Sequence, residues 1–184
     1  MKKSVKLLAA SILTAAMMLS FAGCGSDMTD SKKQDDSKQT AATEAQSGTI
    51  AAQDLIFTYN GVSVELNSDA AQAVAALGEA KEVKSQLSCH GEGDDKTYTY
   101  DGFVLNTYPL DGNDRVLEVV INTAGIPTSK GVQVGDPVSA VTDAYGKDCR
   151  EVGMYYAYED GAGKSLQFFI QNDAVQEISY YYDV

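Results

Sequence analysis

The sequence predicts an α+β fold of two tandem repeats, each a short helix packed on an antiparallel β-meander, with one sheet face left open. Three observations predict it. The pattern Gly-Val-x-Val occurs twice, as Gly61-Val62-Ser63-Val64 and as Gly131-Val132-Gln133-Val134. Each copy leads into a short segment of helical periodicity that stops on glycine. Each helix is then followed by runs rich in aromatic and β-branched residues, separated by tight-turn residues.

The elements follow in chain order. DLIFTYN, residues 54–60, reads as a strand adding an edge to the sheet. The first helix is SDAAQAVAALG, with Ser68 as N-cap and Gly78 at the C-terminal stop. The second is DPVSAVTDAYG, with Asp136 as N-cap, Pro137 at the first helical position and Gly146 at the stop. Ala70, Ala73 and Leu77 align with Val138, Val141 and Tyr145, and this three-and-four spacing gives each helix one apolar face.

Three strands are expected after each helix: KTYTYDG, FVLNTYP and RVLEVVIN in the first half, GMYYAYED, SLQFFIQ and AVQEISYYYD in the second. Asp101-Gly102, Asp111-Gly112-Asn113-Asp114, Gly161-Ala162-Gly163 and Asn172-Asp173 supply the turns. The helices match at an offset of 68, whereas Val116-Leu117-Glu118-Val119 matches Val175-Gln176-Glu177-Ile178 at an offset of 59. The first half therefore carries an insertion of about nine residues within KEVKSQLSCHGEGDD. The repeats span about 61–124 and 131–184, within one domain over 50–184. One helix per repeat cannot cover both faces of such a sheet, so one face should stay open.

Strand alternation assigns the faces. Leu166, Phe168 and Ile170 fall on one side and Phe169 on the other. Ile178, Tyr180 and Tyr182 share one side, and Val175, Glu177, Ser179 and Tyr181 the opposite one. The larger apolar sets must meet the helices. Phe169 and Tyr181, near Glu118 and Glu177 of the matched strands, form the candidate interaction face, because aromatics give large contact area at low entropic cost.

The first residues, MKKSVK, are basic, and Leu7 to Ala22 are apolar or small. That is the pattern of a secretory signal peptide over 1–23, too short for a permanent span of about 20 apolar residues. Residues 25–49 contain no aromatic and one large apolar side chain, Met28. They read as a disordered polar tether with a span of about 25–30 Å. Loss of Lys2, Lys3 and Lys6 with the signal takes the formal charge from −12 to −15. Nucleic acid would be repelled by that charge, as would an anionic bilayer surface.

Ala22-Gly23-Cys24 at the end of the apolar run resembles the lipobox of bacterial lipoproteins. The resemblance implies that Cys24 carries a covalent diacylglycerol and becomes the first residue of the mature chain, anchored on the outer face of the cell membrane. The stretches GVSVELNSDAAQAVAALG and GVQVGDPVSAVTDAYG resemble the tandem-repeat fold of the β-lactamase-inhibitor-protein family and, per half, the outer-membrane assembly lipoproteins of the SmpA/OmlA type. That resemblance implies protein binding across an open sheet. Inhibition of a β-lactamase does not carry over, because the chain has no tryptophan and lacks cysteine spacing for a disulfide in each half.

Catalytic and metal chemistry find little support in the spacing. His90 is the only histidine and adjoins Cys89. Neighbours on an extended strand point to opposite faces, so a thiol–imidazole pair would need a turn there. A cleft joining Cys89, His90 and a carboxylate would be required for catalysis. HGEGDD and DGND lack the ligand spacing of a calcium loop, and no paired Cys or His ligands suggest zinc. No cofactor is expected beyond the lipid. Cys89 and Cys149 form either a disulfide or two separate thiols. The expectation is a non-catalytic lipoprotein that binds a protein or envelope component through the open face. The alternative is capture of a solute or glycan at a tyrosine-lined site between the repeats, drawing on the eleven tyrosines.

Overall fold

In the computed structural model, which describes residues 50–184, each helix leads into four strands. The signal peptide assigned to 1–23, the lipidated Cys24 and the tether to residue 49 lie outside the described residues. A 3-10 turn, Ala52–Leu55, precedes β1 (Ile56–Tyr59) and β2 (Val62–Glu65). Helix α1 (Ala70–Leu77) is followed by β3 (Glu82–Leu87), β4 (Asp94–Thr99), β5 (Phe103–Leu110) and β6 (Asn113–Ile121). Helix α2 (Val138–Tyr145) is followed by β7 (Arg150–Val152), β8 (Tyr155–Glu159), β9 (Lys164–Gln171) and β10 (Ala174–Tyr182). The eight strands after the helices form one antiparallel sheet in the order β3-β4-β5-β6-β10-β9-β8-β7. The fold is thus α+β, with two helices and a large antiparallel sheet. No helix among the described residues is long and apolar enough to cross a membrane.

Several sequence expectations need correction. Each helix is followed by four strands, not three. The presumed insertion supplies β3, whose residues are all exposed, and the second half has the short counterpart β7. Both are edge strands of mixed polar sequence, so the period-2 alternation that marks a half-buried strand is absent. DLIFTYN does not extend the large sheet. Asp54 and Leu55 belong to the 3-10 turn, and β1 pairs only with β2. Asn60 and Gly61 both have positive φ (50° and 81°), the conformation of a two-residue hairpin turn. This hairpin lies on the core: Phe57 is buried, with its ring 4.9 Å from Phe103 and 5.8 Å from Tyr180.

The helix starts also differ by one residue. The Ser68 hydroxyl donates to the Glu65 carbonyl (2.7 Å), and Asp69 caps α1 by accepting from the Ala71 amide (2.9 Å). Asp136 accepts from the Gln133 amide in the preceding turn (2.9 Å), leaving Pro137 at the cap position of α2 without a side-chain cap bond. At the other ends, Gly78 and Gly146 have φ of 85° and 89° and donate to Val74 and Thr142 carbonyls, as glycine stops should.

Several backbone hydrogen bonds occur in matching places after each helix start. Val116 N donates to Ser68 O (3.0 Å), and Val175 N to Asp136 O (2.9 Å). Asn67 N donates to Val116 O, and Gly135 N to Val175 O, both at 2.8 Å. Isolated bridges join Asp69 to Arg115 and Pro137 to Ala174. The pairing register skips Leu117 in β6 and Gln176 in β10. Every one of these pairs is separated by the sequence offsets of 68 for the helix side and 59 for the strand side. The central pairing is β6 with β10, in register Ile121–Ile178, Val120–Ser179, Val119–Tyr180 and Glu118–Tyr181. Val120 and Ser179, 59 residues apart in sequence, pair with each other.

One face of the sheet carries the core. Leu105, Phe103, Val119, Ile121, Ile178, Tyr180, Leu166 and Phe168 cluster with Phe57, Val64, Ala70, Ala73 and Val141 from the hairpin and helices. Val175 joins this core, contrary to the alternation that grouped it with Glu177. The bulge at Gln176 is the reason: an extra residue between them returns the side chain before it to the other face.

Phe168 is fully buried and Phe169, its neighbour, is half-buried on the opposite face. Phe168→Ala should cost about 3–5 kcal/mol through transfer and cavity terms. Phe169→Ala should cost distinctly less, because part of its ring already meets solvent and only half its area and one aromatic pair are lost. Denaturant unfolding of the two variants measures the contrast.

Candidate functional site

The sheet face away from the helices carries a polar ladder bordered by aromatic rings. Thr97 on β4 donates through Oγ1 to Asn106 Oδ1 on β5 (2.9 Å). Asn106 Nδ2 donates to Glu118 Oε2 on β6 (3.0 Å), and Ser179 Oγ on β10 donates to Glu118 Oε1 (2.7 Å). Register puts these four side chains on one face, and the hydrogen bonds fix the Glu118 carboxylate at its centre. Beside it, Tyr181 pairs across the strands with Glu118, and Phe169 pairs with Glu177. The Tyr155 ring packs at 5.1 Å from that of Phe169. The four residues singled out from sequence are therefore direct cross-strand neighbours, in two pairs.

Among the described residues, neither Glu118 nor Glu177 enters an ion pair; the lysines and arginines that do pair use other acids. The two charges act on their surroundings. Burial raises the Glu177 pKa above the ordinary carboxylate value, and the Glu118 charge raises it further. Burial likewise raises the Tyr155 phenol, with Glu177 and Glu118 adding to the effect, and raises Tyr181, with Asp183 and Glu118 adding. The patch holds two acids with three rings beside them, and among the described residues no cation pairs with either acid.

A cleft of about 350 Å³ adjoins Tyr181 and is lined also by Arg150, Glu159, Lys164, Ser165 and Gln167. Tyr181 is its only tyrosine. Tyr100, Tyr108, Tyr158 and Tyr180 are buried, so these four tyrosines serve the core.

Cys89 and Cys149 are free thiols. Cys89 follows β3 and Cys149 precedes β7, the two outer strands of an eight-stranded sheet. At about 4.8 Å per strand the edges stand some tens of ångströms apart, far beyond disulfide reach. Of the two alternatives the sequence leaves open, the described residues have two separate thiols. Cys89 and His90 are both exposed, in a bend that brings them together with Asp95.

Asn106, Ser179 and Tyr155 escaped the sequence reading. Alternation puts Ser179 on this face, but a serine in a strand gives no sign of its partner. The Asn106–Glu118 bond depends on a register shift that only the folded β5–β6 pair reveals.

Because the folded pKa of Glu177 is raised, folding binds extra protons at that site. Its charge therefore costs stability as pH rises from the ordinary value of 4.5 through the folded value. Glu177→Gln should melt progressively higher than the unsubstituted chain as pH is raised across this range. Equal melting temperatures at pH 7 would contradict the assignment. The chain has no match among protein-family models, curated proteins or solved structures.

Proposed function

We propose that the chain is a non-catalytic extracytoplasmic lipoprotein, held at the membrane by a lipid on Cys24, that binds a protein or cell-envelope component through an open sheet face. The observation that carries this reading is the pairing of Tyr181 with Glu118 and of Phe169 with Glu177 on the face away from the helices, with no cation paired to either acid among the described residues. Aromatic rings beside uncompensated carboxylates favour lysine or arginine side chains, which gain from charge and from the ring faces together. The partner we infer is therefore basic where it meets this face.

We further read the two helix-plus-meander segments as tandem repeats about the Val120–Ser179 pair. The matching hydrogen bonds, bridges and bulges support that reading. A fold doubled this way presents one wide surface in place of two narrow ones.

A second reading is capture of a small solute or glycan. It rests on the cleft beside Tyr181, where Gln167, Ser165, Arg150 and Lys164 offer polar groups around one ring.

The test is capture from native envelope extract by the intact chain and by its double variant Phe169→Ser with Tyr181→Ser. The reading expects a basic partner retained by the unsubstituted chain, released by added salt, and lost with the double variant. Equal capture of every envelope component by both proteins would contradict it. Displacement by free saccharide, with no dependence on Phe169, would favour the second reading.

A further inference from the structure

We propose that the β3–β4 hairpin holds a borderline divalent transition metal, Zn²⁺ in chemical class, through Cys89, His90 and Asp95. The Cys89 thiol sulfur, an imidazole nitrogen of His90 and a carboxylate oxygen of Asp95 all lie within 4.8 Å of one another. In a tetrahedral zinc site with bonds of about 2.0–2.3 Å, ligand atoms stand roughly 3.3–3.6 Å apart. Closing the difference asks only for rotamer adjustment of two exposed side chains against a third on a strand.

Local structure explains how adjacent residues come to serve one site. Residues 89–93 are bent, so Cys89 and His90 are not held on opposite faces as they would be in an extended strand. The bend is tied by Ser88 N to Gly93 O (3.0 Å) and by His90 N to Ser88 Oγ (3.0 Å). It is pressed onto β5 so closely that a Cβ on Gly91 would stand 2.9 Å from the Pro109 carbonyl oxygen. The His90 ring rests edge-on against Tyr108, with centroids 5.9 Å apart. Asp95 is the rigid member, in strand β4. Its Oδ1 is buried with no hydrogen-bond partner, and a buried carboxylate oxygen left in that state costs free energy that a cation would recover.

The donor set selects the ion. Thiolate and imidazole suit zinc and its neighbours and discriminate against calcium and magnesium, which require oxygen ligands. Three protein ligands leave a fourth position for water or for a donor from outside the chain. Bound metal would also fasten the tip of β3, an edge strand whose Val83 and Leu87 are 55% and 85% exposed.

The test is titration of the full chain with Co²⁺ as a spectroscopic substitute for Zn²⁺, in a background of Cys24→Ser and Cys149→Ser so that Cys89 is the sole thiol. Expected are one ion per chain, a tetrahedral visible spectrum and a thiolate charge-transfer band, all displaced by Zn²⁺. Cys89→Ser should abolish the band. His90→Ala and Asp95→Ala should each weaken binding by roughly tenfold or more, since even groups outside the ligand shell cost on the order of 10–100-fold. Cys89 and His90 are exposed, so their variants report on the metal even if Asp95→Ala fails to fold. Absence of the thiolate band, or an affinity unchanged in Cys89→Ser and His90→Ala, would overturn the proposal.

Discussion

The antiparallel pairing of β6 with β10 is the constraint on which the rest of the molecule depends. Each helix-plus-meander unit ends in a strand with one unpaired edge. A four-stranded sheet with one eight-residue helix on it buries little and leaves that edge exposed to any other chain. Joining the two final strands removes both edges and brings the two apolar faces into one core. It also fixes the relative register of the halves, because Val120 meets Ser179 and the pairs on either side follow. The remaining outer edges fall to β3 and β7, short and polar, with Lys84 and Arg150 in ion pairs at their margins.

That pairing also composes the surface we propose as functional. Glu118 comes from the first half, whereas Ser179 and Tyr181, which flank it, come from the second. Glu118 and Tyr181 meet only across this seam, whereas Glu177 and Phe169 both belong to the second half. The Asn106–Glu118–Ser179 hydrogen bonds hold the carboxylate without neutralising it, so its charge remains available to a partner. The proposed metal hairpin lies at the far edge on β3–β4, and its chemistry does not draw on this surface.

Much of the architecture was legible in the sequence because local rules and tertiary packing agree there. Glycine stops, tight turns and alternation placed both helices and six of the strands, and the split between Phe168 and Phe169 follows from period 2 alone. The rest was hidden for physical reasons. β3 and β7 are exposed edges without an apolar signature. Val175 reads as outward until the bulge at Gln176 is known. Ser68 and Asp136 are good caps in isolation, but their side chains are engaged by Glu65 and Gln133. Cys89 and Cys149 could be tied or apart on sequence grounds, and only strand order sends them to opposite edges. Asp95 looked like one of several loop acids, because its place beside Cys89 and His90 arises from a bend that sequence spacing does not encode.

Native-state hydrogen exchange across the chain tests most directly whether the β6–β10 seam holds the fold together. The account predicts that amides of β6 and β10 exchange slowest, through global unfolding alone, while those of the edge strands β3 and β7 open locally with much smaller free energies. Exchange at β6 and β10 faster than at β4–β5 and β8–β9, with each half staying protected by itself, would show two independent units and contradict it.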